Sequence, residues 1–166
     1  MKPTFSLVSL TAAFAALSPL LAENALWNAE GNGTEANGIY RVEARKAGRP
    51  SVYTLRLNRQ DSANVSITGK VKLPNQGILK VAFSGDEEAI AFQRAAKGEQ
   101  IRLGQRTRAN GSPVDEAMSL SIQLLGNYLE VALGPLREFR RVEKRPIDLS
   151  LVLHGSGLEV ADLKVT

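Results

Sequence analysis

Alternation of apolar and polar side chains with a period of two is the feature of this sequence that most limits its fold. In residues 119–134, SLSIQLLGNYLEVALG, Leu120, Ile122 and Leu124 share one parity and are separated by polar residues. The Gly126-Asn127 pair then offers the positive φ values of a two-residue hairpin turn. Because successive side chains of a strand point to opposite faces, this stretch predicts two antiparallel strands with one buried face.

The same alternation recurs along the chain from Ile39 onward, and segments rich in Gly, Pro, Asn and Asp separate the runs. Residues 86–99 could instead form a short helix, but no window shows a sustained period of 3.6. Short strands at this spacing predict an all-β fold, an antiparallel two-sheet β-sandwich. The predicted core is Tyr40, Val42, Tyr53, Leu55, Leu57, Val65, Ile67, Val71, Leu73, Leu79, Val81, Phe83, Ile90, Phe92, Ile101, Leu103, Leu120, Ile122, Leu124, Leu129, Val131, Leu133, Ile147, Leu149, Leu151 and Leu153.

The first and last strands of the chain depart from this regular pattern. A short first strand is expected around Leu26 to Ala29, followed by turns in the Asn- and Gly-rich segment. In the last run, LEVADLKVT, Val160 and Val165 are five residues apart and cannot share a face under strict alternation. A β-bulge near Ala161-Asp162 would place both on the inner face.

The N-terminal segment has the features of a secretory signal. Lys2 precedes an apolar run from Phe5 to about Leu21, and Ala22 is a small residue at which a signal peptidase could cut. We expect residues 1–22 to be removed and residues 23–166 to form one β-sandwich domain that is secreted or periplasmic, with no membrane span in the mature chain. The chain has no Cys, so its stability must come from the core rather than from disulfides.

The charge balance argues against nucleic acid as a partner. The formal net charge is only +4, and aromatic residues make up 5% of the chain. A nucleic-acid-binding domain usually has a denser basic surface with aromatic side chains on which bases stack.

The order of elements in the C-terminal half resembles that of concanavalin-A-like jelly rolls, which include laminin-G-like domains and domains like 3-keto-disaccharide hydrolases. The motifs are an alternating strand, the Gly-Asn turn, a second strand ending in Gly134, a charged segment, an apolar strand ending in Gly155-Ser156-Gly157, and the closing LEVADLKV. The segment IYRVEARKAGRPSVYTLRLNRQDSANVSI is similar to the opening strands of such domains. The resemblance covers roughly Leu26 to Thr166 and implies a jelly-roll sandwich with a glycan-related role.

The sequence contains no arrangement that is diagnostic of catalysis or of a metal site. Glycosidases on this fold need two carboxylates on one strand face, and no acidic residues alternate within a predicted strand. His154 is the only histidine and is expected at a strand end, facing outward. Calcium, which is common in such folds, would have to use Asp61 with Asn64, Asp86 or Asp162, and no other cofactor is expected.

The basic segment LREFRRVEKRP is the strongest functional indication. It contains Arg137, Arg140, Arg141, Lys144 and Arg145. Guanidinium groups on a loop or edge strand could bind the sulfates or carboxylates of an acidic polysaccharide. Alternatively, the charges discourage association of an exposed sheet edge. Neutral sugars would stack on an exposed ring, for which Trp27 and Tyr128 are the best candidates.

Three functions remain open at this point. The first is a secreted, non-catalytic module that binds a glycan or an extracellular surface, with Trp27 and the segment 137–145 as contacts. The second is a glycoside-acting hydrolase, as the resemblance implies. The third is a structural interaction protein of the cell envelope.

Overall fold

The computed structural model describes residues 27–43, 50–56, 64–84, 88–105, 107–142 and 148–166. Within these ranges the regular structure consists of β-strands, with no helix long and apolar enough to cross a membrane. The expected secretory signal, residues 1–22, lies outside them. The strands are β1 Trp27–Glu30, β2 Gly33–Ala36, β3 Ile39–Val42, β4 Ser51–Arg56, β5 Asn64–Lys72, β6 Ile78–Phe83, β7 Ile90–Arg94, β8 Gln100–Leu103, β9 Thr107–Asn110, β10 Met118–Leu125, β11 Tyr128–Leu133, β12 Leu136–Arg141, β13 Asp148–His154 and β14 Glu159–Val165.

The strands form two antiparallel seven-stranded sheets that pack as a β-sandwich, which confirms the predicted fold class. The first sheet has the order β1-β4-β13-β6-β7-β8-β9, and the second has the order β12-β11-β10-β5-β14-β3-β2. Strands distant in sequence are paired in both sheets, as in a jelly roll. Strand β12 lies against β8 and β9 of the first sheet, so β12 and β9 mark the same side of the sandwich.

The core lies between the two sheets and consists of the side chains of inward parity. Leu57 and Ile147 are outside the described residues, and every other residue of the predicted core is buried. Burial of each such aliphatic or aromatic side chain is worth roughly 1.5–3 kcal/mol. The period-two pattern therefore identifies the stabilising layer correctly.

The predicted hairpin joins β10 and β11, with Leu125 paired to Tyr128 across a two-residue turn. Gly126 has a φ of 59°, whereas Asn127 does not have a positive φ. The expectation of two positive φ values is therefore wrong at Asn127. One glycine at the first turn position is enough, as in a type II′ turn.

The predicted β-bulge is present in β14. The register with β5 shifts between Ala161 and Lys164, and Asp162 has a φ of 53°. A Cβ atom at Gly69 on the neighbouring strand would lie 2.8 Å from Leu163 Cδ2. The absence of a side chain at Gly69 thus leaves space for the Leu163 side chain beside the bulge. Val165 packs against the core.

Several elements differ from the expectations. Residues 90–94 form strand β7 rather than part of a helix, because Ile90 and Phe92 alternate with outward-facing residues. The expected turns after the first strand contain β2, and β9 lies in a segment expected to turn. Both are short, largely polar strands in edge positions, so they have no strong apolar alternation to reveal them.

A polar contact joins the sheets at the side formed by β1 and β2. The Tyr53 hydroxyl donates to Glu35 Oε2 at 3.3 Å, and the Tyr53 ring stacks on Tyr40 with centroids 4.9 Å apart. Burial, followed by the charge and hydrogen bond of Glu35 and by Tyr40, raises the pKa of Tyr53 to about 12. This contact links β4 of the first sheet to β2 of the second.

Arg140 makes the corresponding contact at the opposite side. Its Nη1 donates to the carbonyl oxygen of Glu88 at 2.6 Å, and its Nε lies 3.4 Å from Glu138 Oε1. Glu88 lies two residues before β7 of the first sheet, so Arg140 holds the edge strand β12 against that sheet.

The raised pKa of Tyr53 predicts a specific alkaline destabilisation. Above pH 10 the unfolded phenol ionises while the folded one stays neutral up to about pH 12. The unfolded state then binds fewer protons, so this group lowers stability by about 1.4 kcal/mol per pH unit. We expect Tyr53→Phe to be less stable than the wild type by about 1 kcal/mol at pH 7. That difference should narrow between pH 9 and pH 11 in urea unfolding. The exposed Tyr128→Phe is the control, and a constant difference for Tyr53→Phe would contradict this assignment.

Arg140→Met tests the contact between β12 and the first sheet. The substitution keeps an apolar stem and removes the guanidinium, so we expect a loss of about 1 kcal/mol in the free energy of unfolding. The matched control is Arg141→Met, at an exposed neighbouring position, with an expected change within about 0.5 kcal/mol. Equal urea midpoints for the two variants would show that Arg140 does not stabilise this edge.

Candidate ligand-binding surface

Three exposed apolar side chains cluster on the outer face of the second sheet at its β12 side. Leu125, Tyr128 and Phe139 are 54%, 67% and 67% exposed and come from β10, β11 and β12. Leu125 is paired with Tyr128, and Phe139 is paired with Glu130. Tyr128 and Phe139 are therefore diagonal neighbours on adjacent strands, a placement that puts side chains roughly 7–8 Å apart.

These side chains line a groove with a volume of about 420 Å³. Its outward-facing residues, which we call the aromatic groove, are Gln123, Leu125, Tyr128, Glu130, Phe139 and Arg141. Single exposed apolar side chains are ordinary in proteins, but a contiguous group with a polar rim indicates a binding surface. The groove can thus offer two ring faces together with amide, carboxylate and guanidinium groups.

The three described arginines of the basic segment have different environments. Arg137 Nη1 lies 3.0 Å from Glu130 Oε1, and Arg140 is engaged with Glu88 and Glu138. Arg141 is exposed, and no side-chain hydrogen bond or ion pair joins it to the part of the chain that the structure describes. Of the three, Arg141 is the best placed to contact a ligand at the groove.

The strand register explains this division. Arg140 is paired with the core residue Leu129, and paired residues point to the same face of a sheet. The Arg140 side chain is therefore directed toward the other sheet. Arg137 and Arg141 have the opposite parity and share the outer face with Phe139. The sequence segment is thus an edge strand, with one arginine used for structure and two on the outer surface.

Trp27 does not join this surface. It is the first residue of β1, which lies at the far end of the first sheet from β8 and β9, the strands that β12 contacts. Lys144 and Arg145 lie outside the described residues. The structure therefore places Arg141 directly opposite Tyr128 and Arg137 on the same outer face, four residues away along β12. It leaves Trp27 at the far end of the first sheet.

Phe139 and Leu125 are the residues that sequence reasoning missed. Phe139 lies within a charged segment, and Leu125 is the second of two consecutive leucines before the turn. The alternation of the strands could have indicated both, because each is an apolar residue at an outward-facing position. Only strand pairing shows that the two lie on either side of Tyr128.

The residues considered for catalysis or metal binding are dispersed. His154 is the last residue of β13, as expected, and it is half-buried and paired with Ile78. Burial, together with the charge of Lys80, lowers the pKa of its imidazole. Asp162 lies 3.1 Å from Lys70 Nζ, and Asp61 and Asp86 are outside the described residues. Within the described ranges no group of three or more His, Asp or Glu side chains is arranged to hold a metal ion.

The likeness to known proteins is one of fold. No family model matches the chain, and no curated protein matches it in sequence. A sialidase structure superimposes over 90% of this chain with a TM-score of 0.59 and 13% identity. A Trypanosoma rangeli sialidase in complex with 2,3-difluorosialic acid covers 82% of the chain, with a TM-score of 0.55 and 12% identity.

The same fold also forms nearly all of a smaller protein. A proposed glycosyl hydrolase from Parabacteroides distasonis matches 86% of this chain and 89% of its own length, with a TM-score of 0.56 and 11% identity. In contrast, the chain spans only 18% and 27% of the lengths of the two sialidases. At these identities the matches establish a β-sandwich similar to domains of sialidases and of a proposed glycosyl hydrolase.

Proposed function

We propose that this chain is a secreted β-sandwich module that binds a glycan at the aromatic groove without cleaving it. The observation that carries the proposal is the pair of exposed rings, Tyr128 and Phe139, on adjacent strands with Arg141 beside them. A pyranose ring has apolar C–H faces and a polar edge, so it can stack on one ring while its hydroxyls reach Gln123 or Glu130. Few, well-placed polar groups around an apolar floor are typical of small-ligand sites.

Arg141 favours a sugar with an acidic substituent. Its guanidinium can form a paired hydrogen bond with a carboxylate or sulfate, whereas Arg137 is already paired with Glu130. Lys144 and Arg145 follow directly in sequence and stay predicted contacts. The fold supports the proposal, because the similar structures include sialidases and a proposed glycosyl hydrolase.

The environment of the acidic residues favours binding over hydrolysis. Glu130 is paired with Arg137, Glu159 with Arg41, and Asp162 with Lys70. Most retaining glycosidases use two carboxyl groups about 5–5.5 Å apart, one of which acts as the acid and the other as the nucleophile. Hydrolysis of a glycoside, and a structural role in the cell envelope, are the alternatives that the experiments must separate.

A glycan array tests the site. We expect Tyr128→Ala/Phe139→Ala to weaken binding at least about tenfold, which corresponds to about 1.4 kcal/mol. Arg141→Gln should remove the part of the binding to acidic glycans that fades at high salt, because exposed charges are screened within about 8 Å at physiological ionic strength. Ile39→Ala, which removes an exposed apolar side chain at the other side of the same sheet, is the matched control.

The same glycans also decide between the alternatives. Unchanged binding by the double variant would overturn the assignment of the aromatic groove. Release of a free sugar during incubation would establish hydrolysis instead, and absence of any bound glycan would favour the envelope role. Mass analysis of the exported chain checks the expected removal of residues 1–22.

A further inference from the structure

A second polar site lies on the outer face of the first sheet, away from the aromatic groove. In one row across the sheet, His154, Ile78, Gln93, Arg102 and Arg108 follow one another on β13, β6, β7, β8 and β9. Arg102 and Arg108 are directly opposite each other on adjacent strands. Like charges in this position destabilise a sheet unless a compensating charge is present.

The described part of the chain does not supply that compensating charge. Neither Arg102 nor Arg108, both exposed, forms an ion pair with any acidic side chain in the described ranges. Arg102 instead donates through Nε to Gln93 Oε1 at 2.9 Å, with Nη2 directed to the same oxygen. A neutral amide oxygen orients this guanidinium without cancelling its charge.

The two arginines open onto a cleft of about 570 Å³. Gln76, Gln93, Gln100 and Arg94 line the same cleft, so the described residues of its walls contribute amide and guanidinium groups and no carboxylate. We call this the arginine cleft. Amide N–H groups can donate to an anion that two guanidinium groups already attract.

Arg94 adds a fixed positive charge behind the wall of the cleft. Its side chain is 0% exposed, with Nε donating to the Leu73 carbonyl at 2.6 Å and Nη2 to the Ser112 carbonyl at 2.9 Å. Nη1 has no hydrogen-bond partner among the described residues. Burial lowers the pKa of Arg94 and nearby Glu99 opposes that change, but a guanidinium stays protonated at neutral pH. A charge held in a low-dielectric wall increases the positive potential of the cleft.

We infer that the arginine cleft binds an oxoanion of the sulfate or carboxylate type, held by the paired guanidinium groups of Arg102 and Arg108. Both donors belong to paired strands of one sheet, and each can present two parallel N–H groups to the anion. The anion would also supply the negative charge that this row lacks. The inference is independent of glycan binding at the aromatic groove, which lies on the other sheet.

Inorganic sulfate is the first probe. Side-chain Nε–Hε resonances of the full chain are followed by NMR during a sulfate titration, with sodium chloride holding the ionic strength constant. We expect saturable shifts of the Arg102 and Arg108 signals and at least a tenfold weaker response in Arg102→Gln/Arg108→Gln. Lys72→Gln/Lys164→Gln removes the same charge from the second sheet and should bind sulfate as the wild type does.

Dextran sulfate and neutral dextran distinguish a free anion from one carried on a polymer. Shifts with inorganic sulfate assign the cleft to small anions, and shifts only with dextran sulfate assign it to a polymer-borne sulfate. Both outcomes support the inference when they depend on the arginine pair. A response that survives in Arg102→Gln/Arg108→Gln, or no response to either sulfate, overturns it.

Stability gives a second readout that does not require the double variant. In sulfate-free buffer, Arg108→Gln should unfold at a higher urea concentration than the wild type, because it removes the opposed charge. Addition of sulfate should raise the midpoint of the wild type more than that of Arg108→Gln, because exclusion of sulfate stabilises both proteins and only the wild type also gains from binding. Equal sulfate responses of the two proteins contradict binding by the arginine pair.

Discussion

The burial of inward-facing side chains between two sheets is the interaction on which the rest of this structure depends. With no cysteine in the chain, the apolar layer must supply most of the stability. The strand pleat then imposes a strict division, because only half of the residues in each strand can enter that layer. The other half is free of the packing constraint, and both candidate binding sites consist mainly of residues from this outer half.

Polar contacts close the two open sides of the sandwich. Tyr53 and Glu35 join the sheets at one side, and Arg140 joins them at the other by its bond to the Glu88 carbonyl. The second contact has a functional consequence, because Arg140 lies between Phe139 and Arg141 on β12. The side chains of a ligand site are positioned more precisely on a strand that is fixed to the rest of the fold than on a loop. We interpret Arg140 as a residue that positions the aromatic groove rather than one that contacts the ligand.

The two candidate sites use different physical chemistry on opposite sheets. The aromatic groove offers exposed rings with one free guanidinium, which suits a sugar ring with an acidic substituent. The arginine cleft offers opposed guanidinium groups and amides, which suits an oxoanion. Both lie toward the β12 and β9 side of the sandwich.

The sequence by itself determined the strands that carry apolar alternation, their buried faces, the hairpin at Gly126 and the bulge near Asp162, because these follow from local chain geometry. It missed the polar edge strands β2 and β9, which have little apolar surface to bury.

The sequence also identified the basic segment and Tyr128, but not the difference between Arg140 and Arg141 or the part played by Phe139. Only the tertiary structure decided those points, because the pairing of β10, β11 and β12 sets which side chains share a face. Likewise, the opposition of Arg102 and Arg108 depends on strand register, and the cleft around them needs residues from separate segments of the chain.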